Sequence, residues 1–310
     1  MSREPAPPLL VIAGPTAAGK SACAVEAALA CGGEVVGADS MQLYRGMDIG
    51  TGKIRPPEMR GVAHHMIDVW EPEERGSAGR YLRQAREAIA AVHRRGRLPI
   101  LCGGTGLYIR AVVEGLAEGT ARDPAVEREL EGRLRREGAA RLHAELAARD
   151  PAAAARIPPS DRFRLVRALG VCLATGRPFT EIQRQATRPG GYAVRYLCLT
   201  RPRERLYRRI ERRVEGMFRD GLVDEVARLA PRLGPTAREA IGYRECLRLL
   251  AGECTEAEAV AAVQRASRRY AKRQLTWFRA VPGARFVDLE EPDALARILE
   301  EARTLARAGA

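Results

Sequence analysis

The chain lacks several features that define whole classes of protein. None of its apolar runs approaches the roughly 18 residues of a membrane-spanning helix. Its first eight residues hold three prolines and one arginine instead of the apolar core of a signal peptide, so we expect a cytoplasmic protein. The seven cysteines are odd in number and form no Cys-x-x-Cys pair. We therefore interpret them as free thiols and expect neither a disulfide framework nor a zinc knuckle.

Lysine is also scarce. Only Lys20, Lys53 and Lys272 are lysines among 52 basic residues, yet the formal net charge is +13 and the isoelectric point is about 10.0. A balance this basic favours a polyanionic partner such as nucleic acid. A GC-rich genome would produce the same excess of arginine, so charge alone does not establish RNA binding.

Short apolar runs separated by helical patterns predict an α/β fold with a parallel sheet. Strands are predicted at residues 9–13, 34–38, 98–102, 193–199 and 286–289. Helices are predicted at residues 21–31, 78–95, 203–219 and 292–307, with two or three more before residue 279. Residues 123–185 show helical periodicity without a convincing strand. We divide the chain into a first core segment (1–118), a helical insertion (119–185) and a second core segment with C-terminal helices (186–310).

A phosphate-binding loop follows the first predicted strand. The segment Gly14-Pro15-Thr16-Ala17-Ala18-Gly19-Lys20-Ser21 has the two glycines, Lys and Ser of the Walker A pattern. Its glycines let the backbone amides point inward at an anion, and the next helix adds its positive end. Lys20 supplies a point charge, and the Ser21 hydroxyl can bind magnesium. The pattern does not identify the phosphate compound, for which ATP is the usual candidate.

Other candidate residues follow the later strands. Asp39 ends the second strand, where it could hold magnesium through water or act as a general base. Thr105 lies in a second glycine-rich bend and could orient a phosphate or substrate. Arg209 and Arg213 are four residues apart and share a helix face that could reach the phosphates. The adjacent His64 and His65 have no acidic partner at ligand spacing, so we do not expect a metal there.

Seven segments of the chain form a recognisable series, which is far more specific than any one motif. The segments are residues 14–21, 38–51, 64–68, 103–108, 221–226, 240–244 and 270–279. Together they resemble the tRNA dimethylallyltransferase family, also called tRNA isopentenyltransferases. They appear in family order and cover roughly residues 9 to 290.

The resemblance implies a P-loop NTPase-like core, an inserted helical tRNA-binding domain and a monomer. It implies transfer of a dimethylallyl group from dimethylallyl pyrophosphate to N6 of the adenosine 3′-adjacent to the anticodon, with magnesium required and pyrophosphate released. Asp39 would then interact with the attacking nitrogen, with Thr105 at the same centre. The P-loop, Arg209 and Arg213 would absorb the charge of the leaving group.

The family pattern also implies the residues that contact the tRNA anticodon stem-loop. They are Asp39, Ser40, Met41, Gln42, Thr105, Phe163, Arg164, Leu165, Val166 and Arg167. Three positions depart from the pattern: Phe163 stands where Gln is usual, Gly170 where Glu is frequent, and Ala18 where Ser is common. Phe163 cannot make the hydrogen bonds of an amide but could stack on a base.

Two other functions fit part of the sequence. A P-loop kinase of a small metabolite could use Asp39 and Thr105 to bind its acceptor, although the basic charge and the helical insertion suit it poorly. A non-catalytic RNA-binding protein could keep the fold, but Lys20, Ser21, Asp39 and Thr105 are all intact.

Overall fold

The computed structural model describes residues 6–116, 123–186 and 190–308, which fold into two compact units. One unit contains the described residues up to Val113 and from Gly191 onward, and we call it the sheet unit. The other, the helical unit, covers Glu114–Gly190. The predicted insertion of residues 119–185 falls inside the helical unit.

The sheet unit is built on six parallel strands, five of which the apolar runs predicted. The strands are β1 (Pro8–Ala13), β2 (Glu34–Gly37), β3 (His64–His65), β4 (Pro99–Gly103), β5 (Ala193–Thr200) and β6 (Arg285–Asp288). Their order in the sheet is β3-β2-β4-β1-β5-β6. The strand β3 was not predicted, because two polar residues give no apolar run.

Helices cover both faces of this sheet, so its central strands are fully buried. All five residues from Leu9 to Ala13 in β1 have no exposed surface.

Ser77 caps a helix at residues 78–94 through its hydroxyl, which accepts a hydrogen bond from Arg80 N at 3.2 Å. The helices are α1 (Lys20–Cys31), α2 (Pro56–Met59), α3 (Ala78–Arg94), α4 (Gly106–Glu114), α10 (Arg203–Arg219), α11 (Leu222–Leu229), α12 (Pro235–Arg238), α13 (Tyr243–Leu250), α14 (Glu256–Arg279) and α15 (Ala294–Ala308).

The helical unit has its own apolar core, which includes Leu130, Leu142, Leu146 and Leu169. The buried Asp150 ties two of its helices together by accepting hydrogen bonds from Ala153 N at 2.9 Å and Thr180 N at 2.7 Å. Its helices are α5 (Pro124–Glu137), α6 (Ala139–Arg149), α7 (Pro151–Arg156), α8 (Arg162–Thr175) and α9 (Phe179–Ala186).

The parallel topology of the sheet predicts which of its edges binds a ligand. Because all six strands are parallel, the segments that follow β1, β2 and β4 emerge at one edge of the sheet, where α/β folds bind their ligands. These segments are the predicted phosphate loop, Asp39 and the second glycine-rich bend. Within the described residues, no helix has both the length and the apolar character needed to cross a bilayer.

Candidate active site

The phosphate loop is shaped by glycines that no other residue could replace without strain. Gly14 has a φ of 146°, and a Cβ there would lie 2.5 Å from the carbonyl oxygen of Leu199. Gly19 has a φ of 110° immediately before α1 begins at Lys20. The loop therefore delivers the positive end of α1 to the carboxyl edge of the sheet.

Asp39 and Thr105 belong to segments that are joined by hydrogen bonds. Ser40 N donates to the Thr105 hydroxyl at 3.0 Å, and Thr105 N donates to the Ala38 carbonyl at 3.1 Å. Asp39 Oδ1 accepts a hydrogen bond from Met41 N at 2.9 Å. The two predicted catalytic residues are thus held at one centre.

The close approach of these two segments depends on Gly103. A Cβ at this position would lie 2.1 Å from the Ala38 carbonyl oxygen, so any side chain would push the segments apart.

Gln274 was missed from sequence, although it lies in one of the seven segments that carry the resemblance. Its Oε1 accepts from Thr16 N at 2.8 Å, and its Nε2 donates to the Gly104 carbonyl at 2.8 Å. One buried amide from α14 therefore joins the phosphate loop to the second glycine-rich bend. The sequence did offer one indication of this role. Gln274 lies on a largely buried face of α14, and a buried polar side chain needs hydrogen-bond partners.

Arg209 and Arg213 reach the phosphate loop from α10, on the shared face that their spacing predicted. Arg209 Nε donates to the Ala17 carbonyl at 2.9 Å. Arg213 donates to the Thr16 hydroxyl at 3.3 Å and to the Thr51 carbonyl at 3.0 Å. Lys20 Nζ lies 2.8 Å from the Pro15 carbonyl oxygen. Each of these cations is thus held by uncharged oxygens.

Burial makes these cations receptive to an anion. It lowers the pKa of Lys20 and of Arg213 below their ordinary values, while the nearby Asp39 opposes the shift. It also lowers the pKa of Arg209, and Arg201 adds to that shift. Lys20 and Arg213 are half-buried, whereas Arg209 is exposed. A partly desolvated cation is destabilised unless a negative charge approaches it. The site is therefore electrostatically prepared for an anionic ligand.

Two cavities meet at this centre. A polar cavity of about 470 Å³ is lined by Lys20, Ser21, Arg209, Arg212 and Gln274 among others. A neighbouring cavity of about 280 Å³ has a wall of apolar side chains, which are Ile210, Val214, Met217, Ile241 and Val263. Both cavities are lined by Thr16, Ala17, Asp39, Thr51 and Arg213. The arrangement can hold an anionic head group in one cavity and an apolar group in the other.

The residues predicted to contact RNA fall into two groups, one at the cavities and one in the helical unit. Ser40 and Met41 line the smaller cavity, and Gln42 lines the larger one. Residues 163–167 lie at the start of α8 in the helical unit. There Phe163 is 76% exposed, whereas Leu165 and Val166 are buried in the core of that unit. Arg167 pairs with Glu127 at 3.3 Å. Leu165 and Val166 therefore present almost no side-chain surface, and Phe163 and Arg164 are the exposed residues of this predicted segment.

The two histidines have local partners. His64 Nδ1 lies 2.9 Å from the Val62 carbonyl oxygen, and His65 Nε2 lies 2.6 Å from the Glu34 carboxylate. Across the described ranges, no group of three or more His, Cys, Asp or Glu side chains is arranged to hold a metal ion. Any metal at the phosphate loop would need oxygen ligands from elsewhere, such as a hydroxyl or a substrate phosphate.

Comparison with known proteins gives a consistent result. The family model described as IPP transferase matches residues 42–281, and a second, Isopentenyl transferase, matches residues 7–73. A tRNA dimethylallyltransferase of Geobacter sulfurreducens is 50% identical over 288 residues, covering 90% of this chain and 91% of the relative. One from Symbiobacterium thermophilum is 46% identical, with 97% and 95% covered.

Solved structures agree with these sequence matches. A tRNA isopentenylpyrophosphate transferase from Bacillus halodurans superposes with a TM-score of 0.72 at 40% identity, covering 97% of each chain. A eukaryotic dimethylallyltransferase, whose structure was determined acting on tRNA, gives a TM-score of 0.79 at 27% identity. That match covers 94% of this chain and 77% of the other.

Proposed function

The chain belongs to the IPP transferase family, and on that premise we propose that it transfers a dimethylallyl group to an adenine of tRNA. The proposed donor is dimethylallyl pyrophosphate, and the acceptor is N6 of the adenosine 3′-adjacent to the anticodon. One observation carries the proposal: a polar and an apolar cavity meet at Asp39, Thr16 and Arg213. A prenyl pyrophosphate has the same division between an anionic and an apolar part.

The pyrophosphate suits the polar cavity. The amides of the phosphate loop, the start of α1 and the cations Lys20, Arg209 and Arg213 surround that space. Because these cations are held by carbonyl and hydroxyl oxygens, they can transfer their hydrogen bonds to phosphate oxygens. The same groups would stabilise the charge that develops on the pyrophosphate as it leaves.

Asp39 and Thr105 suit the acceptor nitrogen. In the reaction the adenine N6 forms a bond to C1 of the prenyl group, and the C1–O bond breaks with its electron pair leaving on pyrophosphate. The surplus proton on N6 must be removed, and the Asp39 carboxylate is the base that lines both cavities. Thr105 lines neither cavity, so we propose that it acts by accepting the hydrogen bond of Ser40 N and thereby holding the segment that carries Asp39.

A magnesium ion fits the polar cavity as a proposed cofactor. Ser21 in the first turn of α1 lines that cavity together with Asp39. Magnesium prefers oxygen ligands and is commonly held by one or two protein groups together with substrate phosphates. When bound, it would supply positive charge to the pyrophosphate.

The tRNA would approach with its target adenine out of the anticodon stack, as enzymes that modify bases require. Ser40, Met41 and Gln42 line the cavities that the adenine must enter. We propose that the helical unit grips the anticodon stem-loop, with Phe163 stacking on a base and Arg164 contacting phosphate. We also propose that the protein acts as a monomer in the cytoplasm, where its proposed substrate is found.

The test is incubation of the protein with magnesium, dimethylallyl pyrophosphate and unmodified tRNA, followed by mass analysis of the nucleosides. We expect a prenylated adenosine that requires both the donor and the tRNA. Consumption of ATP with a small acceptor, and no prenylated nucleoside from several tRNAs, would instead favour the metabolite kinase.

A further inference from the structure

The loop between β2 and α2 is fixed by a buried carboxylate that belongs to a distant helix. In this loop, Asp48 N and Ile49 N donate to Glu225 Oε2 at 3.0 and 2.8 Å, and Gly50 N donates to Oε1 at 3.0 Å. Glu225 lies on α11 and is only 3% exposed. Three consecutive amides around one carboxylate form an anion-binding concavity that the protein fills with its own side chain.

A second side chain completes this arrangement. The hydroxyl of Tyr243, at the start of α13, donates to Glu225 Oε1. The ring of Tyr243 also packs against the loop, since a Cβ on Gly50 would lie 2.5 Å from its Cε2 atom. The carboxylate therefore has four donors, and the path of the loop is held by both hydrogen bonds and packing.

The same loop sets the position of Arg213. The Thr51 carbonyl accepts a hydrogen bond from Arg213 Nη2 at 3.0 Å, immediately after the three amides that Glu225 holds. The guanidinium also lies directly against Gly52, where an added Cβ would come within 1.7 Å of Nη2. From this position Arg213 Nη1 reaches the Thr16 hydroxyl in the phosphate loop.

These contacts form one continuous series from Glu225 to the phosphate loop. We propose that Glu225, with Tyr243, is a positioning residue for the transfer reaction: it fixes the loop so that the Thr51 carbonyl aims Arg213 at the pyrophosphate. Glu225 itself lines neither cavity of the site, so it acts through Arg213 and does not touch the donor. The identity of the anion rests on the proposed function, whereas the coupling between Glu225 and Arg213 does not.

The test measures the affinity of the full chain for inorganic pyrophosphate with magnesium, by calorimetry, in Glu225→Ala, Arg213→Ala and the double variant. We expect Glu225→Ala to weaken binding about twofold to thirtyfold, the range found when a connected network is broken. In the Arg213→Ala background the same change should have almost no further effect, because both variants remove one interaction. Additive effects of the two changes would overturn the proposal.

A matched control separates positioning from stability. Glu34 is also a buried glutamate, 2% exposed, but lies at the amino end of β2. Glu34→Gln should lower the melting temperature and leave pyrophosphate affinity unchanged. If Glu225→Ala likewise lowers only the melting temperature, Glu225 is merely structural and the inference is wrong.

Two further variants keep the test decisive if Glu225→Ala fails to fold. Tyr243→Phe removes one donor and keeps the carboxylate, so it should weaken pyrophosphate binding relative to the wild-type chain. Glu225→Gln keeps one acceptor oxygen and should also bind pyrophosphate more weakly than the wild-type chain. Wild-type affinity in both would contradict the proposal.

Transfer assays of the same Glu225 and Tyr243 variants give a second readout. In these variants KM for the donor should rise while the affinity for tRNA stays constant. Failure of the wild-type chain to prenylate tRNA would overturn the proposed function without affecting the pyrophosphate result.

Discussion

The two ends of strand β2 each have a buried glutamate nearby, and the two carboxylates are stabilised by different means. At the amino end, Glu34 is held by side chains: Arg95 at 2.6 and 3.0 Å, Arg97 at 3.2 Å and His65 at 2.6 Å. Beside the loop that leaves the carboxyl end, Glu225 is held by backbone amides and one tyrosine. Glu34 thus joins secondary-structure elements, whereas Glu225 fixes the path of a loop.

The same difference extends to the cations. At the amino end, arginines are paired with a carboxylate. At the carboxyl end, Lys20, Arg209 and Arg213 contact carbonyl and hydroxyl oxygens, and among the described residues none of the three has a carboxylate within salt-bridge distance. Cations that are held without being neutralised can attract an incoming anion. The amino end is thus arranged for stability and the carboxyl end for anion binding, and four substitutions test this division.

The largest expected effect is at Asp39. If it removes the proton from N6, Asp39→Ala should lower the single-turnover rate of transfer about 10²- to 10⁴-fold, which is the usual contribution of a general base. Donor and tRNA affinities, measured separately, should change little because other residues bind both substrates. Loss of tRNA binding together with transfer would contradict the assignment of Asp39 as the base.

A smaller effect is expected at Gly52, which leaves room for Arg213. The Cβ in Gly52→Ala would collide with the guanidinium, so affinity for pyrophosphate should fall about tenfold or more, equivalent to losing at least ~1.4 kcal/mol. Gly61 is the matched control, because it has a φ of 79° and an added Cβ would have no neighbour within 4 Å. Gly61→Ala should cost only about 1 kcal/mol of stability from backbone strain. Equal pyrophosphate affinities in the two variants would show that Arg213 can move without consequence.

A third effect is expected at Gln274. Gln274→Leu leaves Thr16 N and the Gly104 carbonyl without their partner, which should cost about 1 to 3 kcal/mol of unfolding free energy. Transfer should also slow, because the phosphate loop is no longer joined to the bend that holds Thr105. Thr276→Val on the same helix is the control, since the Thr276 hydroxyl donates to the Lys272 carbonyl within that helix. Unchanged transfer by Gln274→Leu would show that the two loops keep their geometry without the bridge.

The smallest effect on activity is expected at Glu34, where the change should appear in stability alone. Hydrogen bonds from Arg95 and then His65 lower the pKa of Glu34 from 4.5 to about 2, although burial opposes the shift. Because the folded-state pKa is depressed, this stabilisation is present above pH 4.5 and is lost as the pH falls toward 2.

Thermal unfolding from pH 7 to pH 2 measures this contribution. The wild-type chain should be more stable than Glu34→Gln at pH 7, and the difference should shrink across the acid range. A constant difference at all pH values, or slower transfer by Glu34→Gln at pH 7, would contradict the division between the two ends of β2.

Local sequence was enough to predict the parallel sheet and the family. Continuous apolar runs predicted five of the six strands, and the helix spacing of Arg209 and Arg213 correctly placed them on one face toward the phosphate loop. The comparisons confirm the resemblance that the seven segments indicated. These features depend on neighbours in sequence or on motifs whose geometry is standard.

The contacts that position the site could not be predicted in the same way. Glu225 and Asp48 are 177 residues apart, and Gln274 and Thr16 are 258 apart, so only the folded chain shows that they are partners. The family resemblance implied RNA contact for Leu165 and Val166, whereas their apolar side chains pack into the core of the helical unit. Periodicity and spacing cannot predict contacts between residues that lie far apart in the sequence and meet only in the folded chain.

The most direct test is a crystal structure of the protein with magnesium and a non-reactive thio analogue of dimethylallyl pyrophosphate. We predict that the diphosphate lies in the polar cavity, in contact with the phosphate-loop amides, Lys20 and Arg213, and that the prenyl group lies toward Asp39. A diphosphate bound elsewhere, or bound in that cavity without contact to Arg213, would contradict the proposed role of the polar cavity.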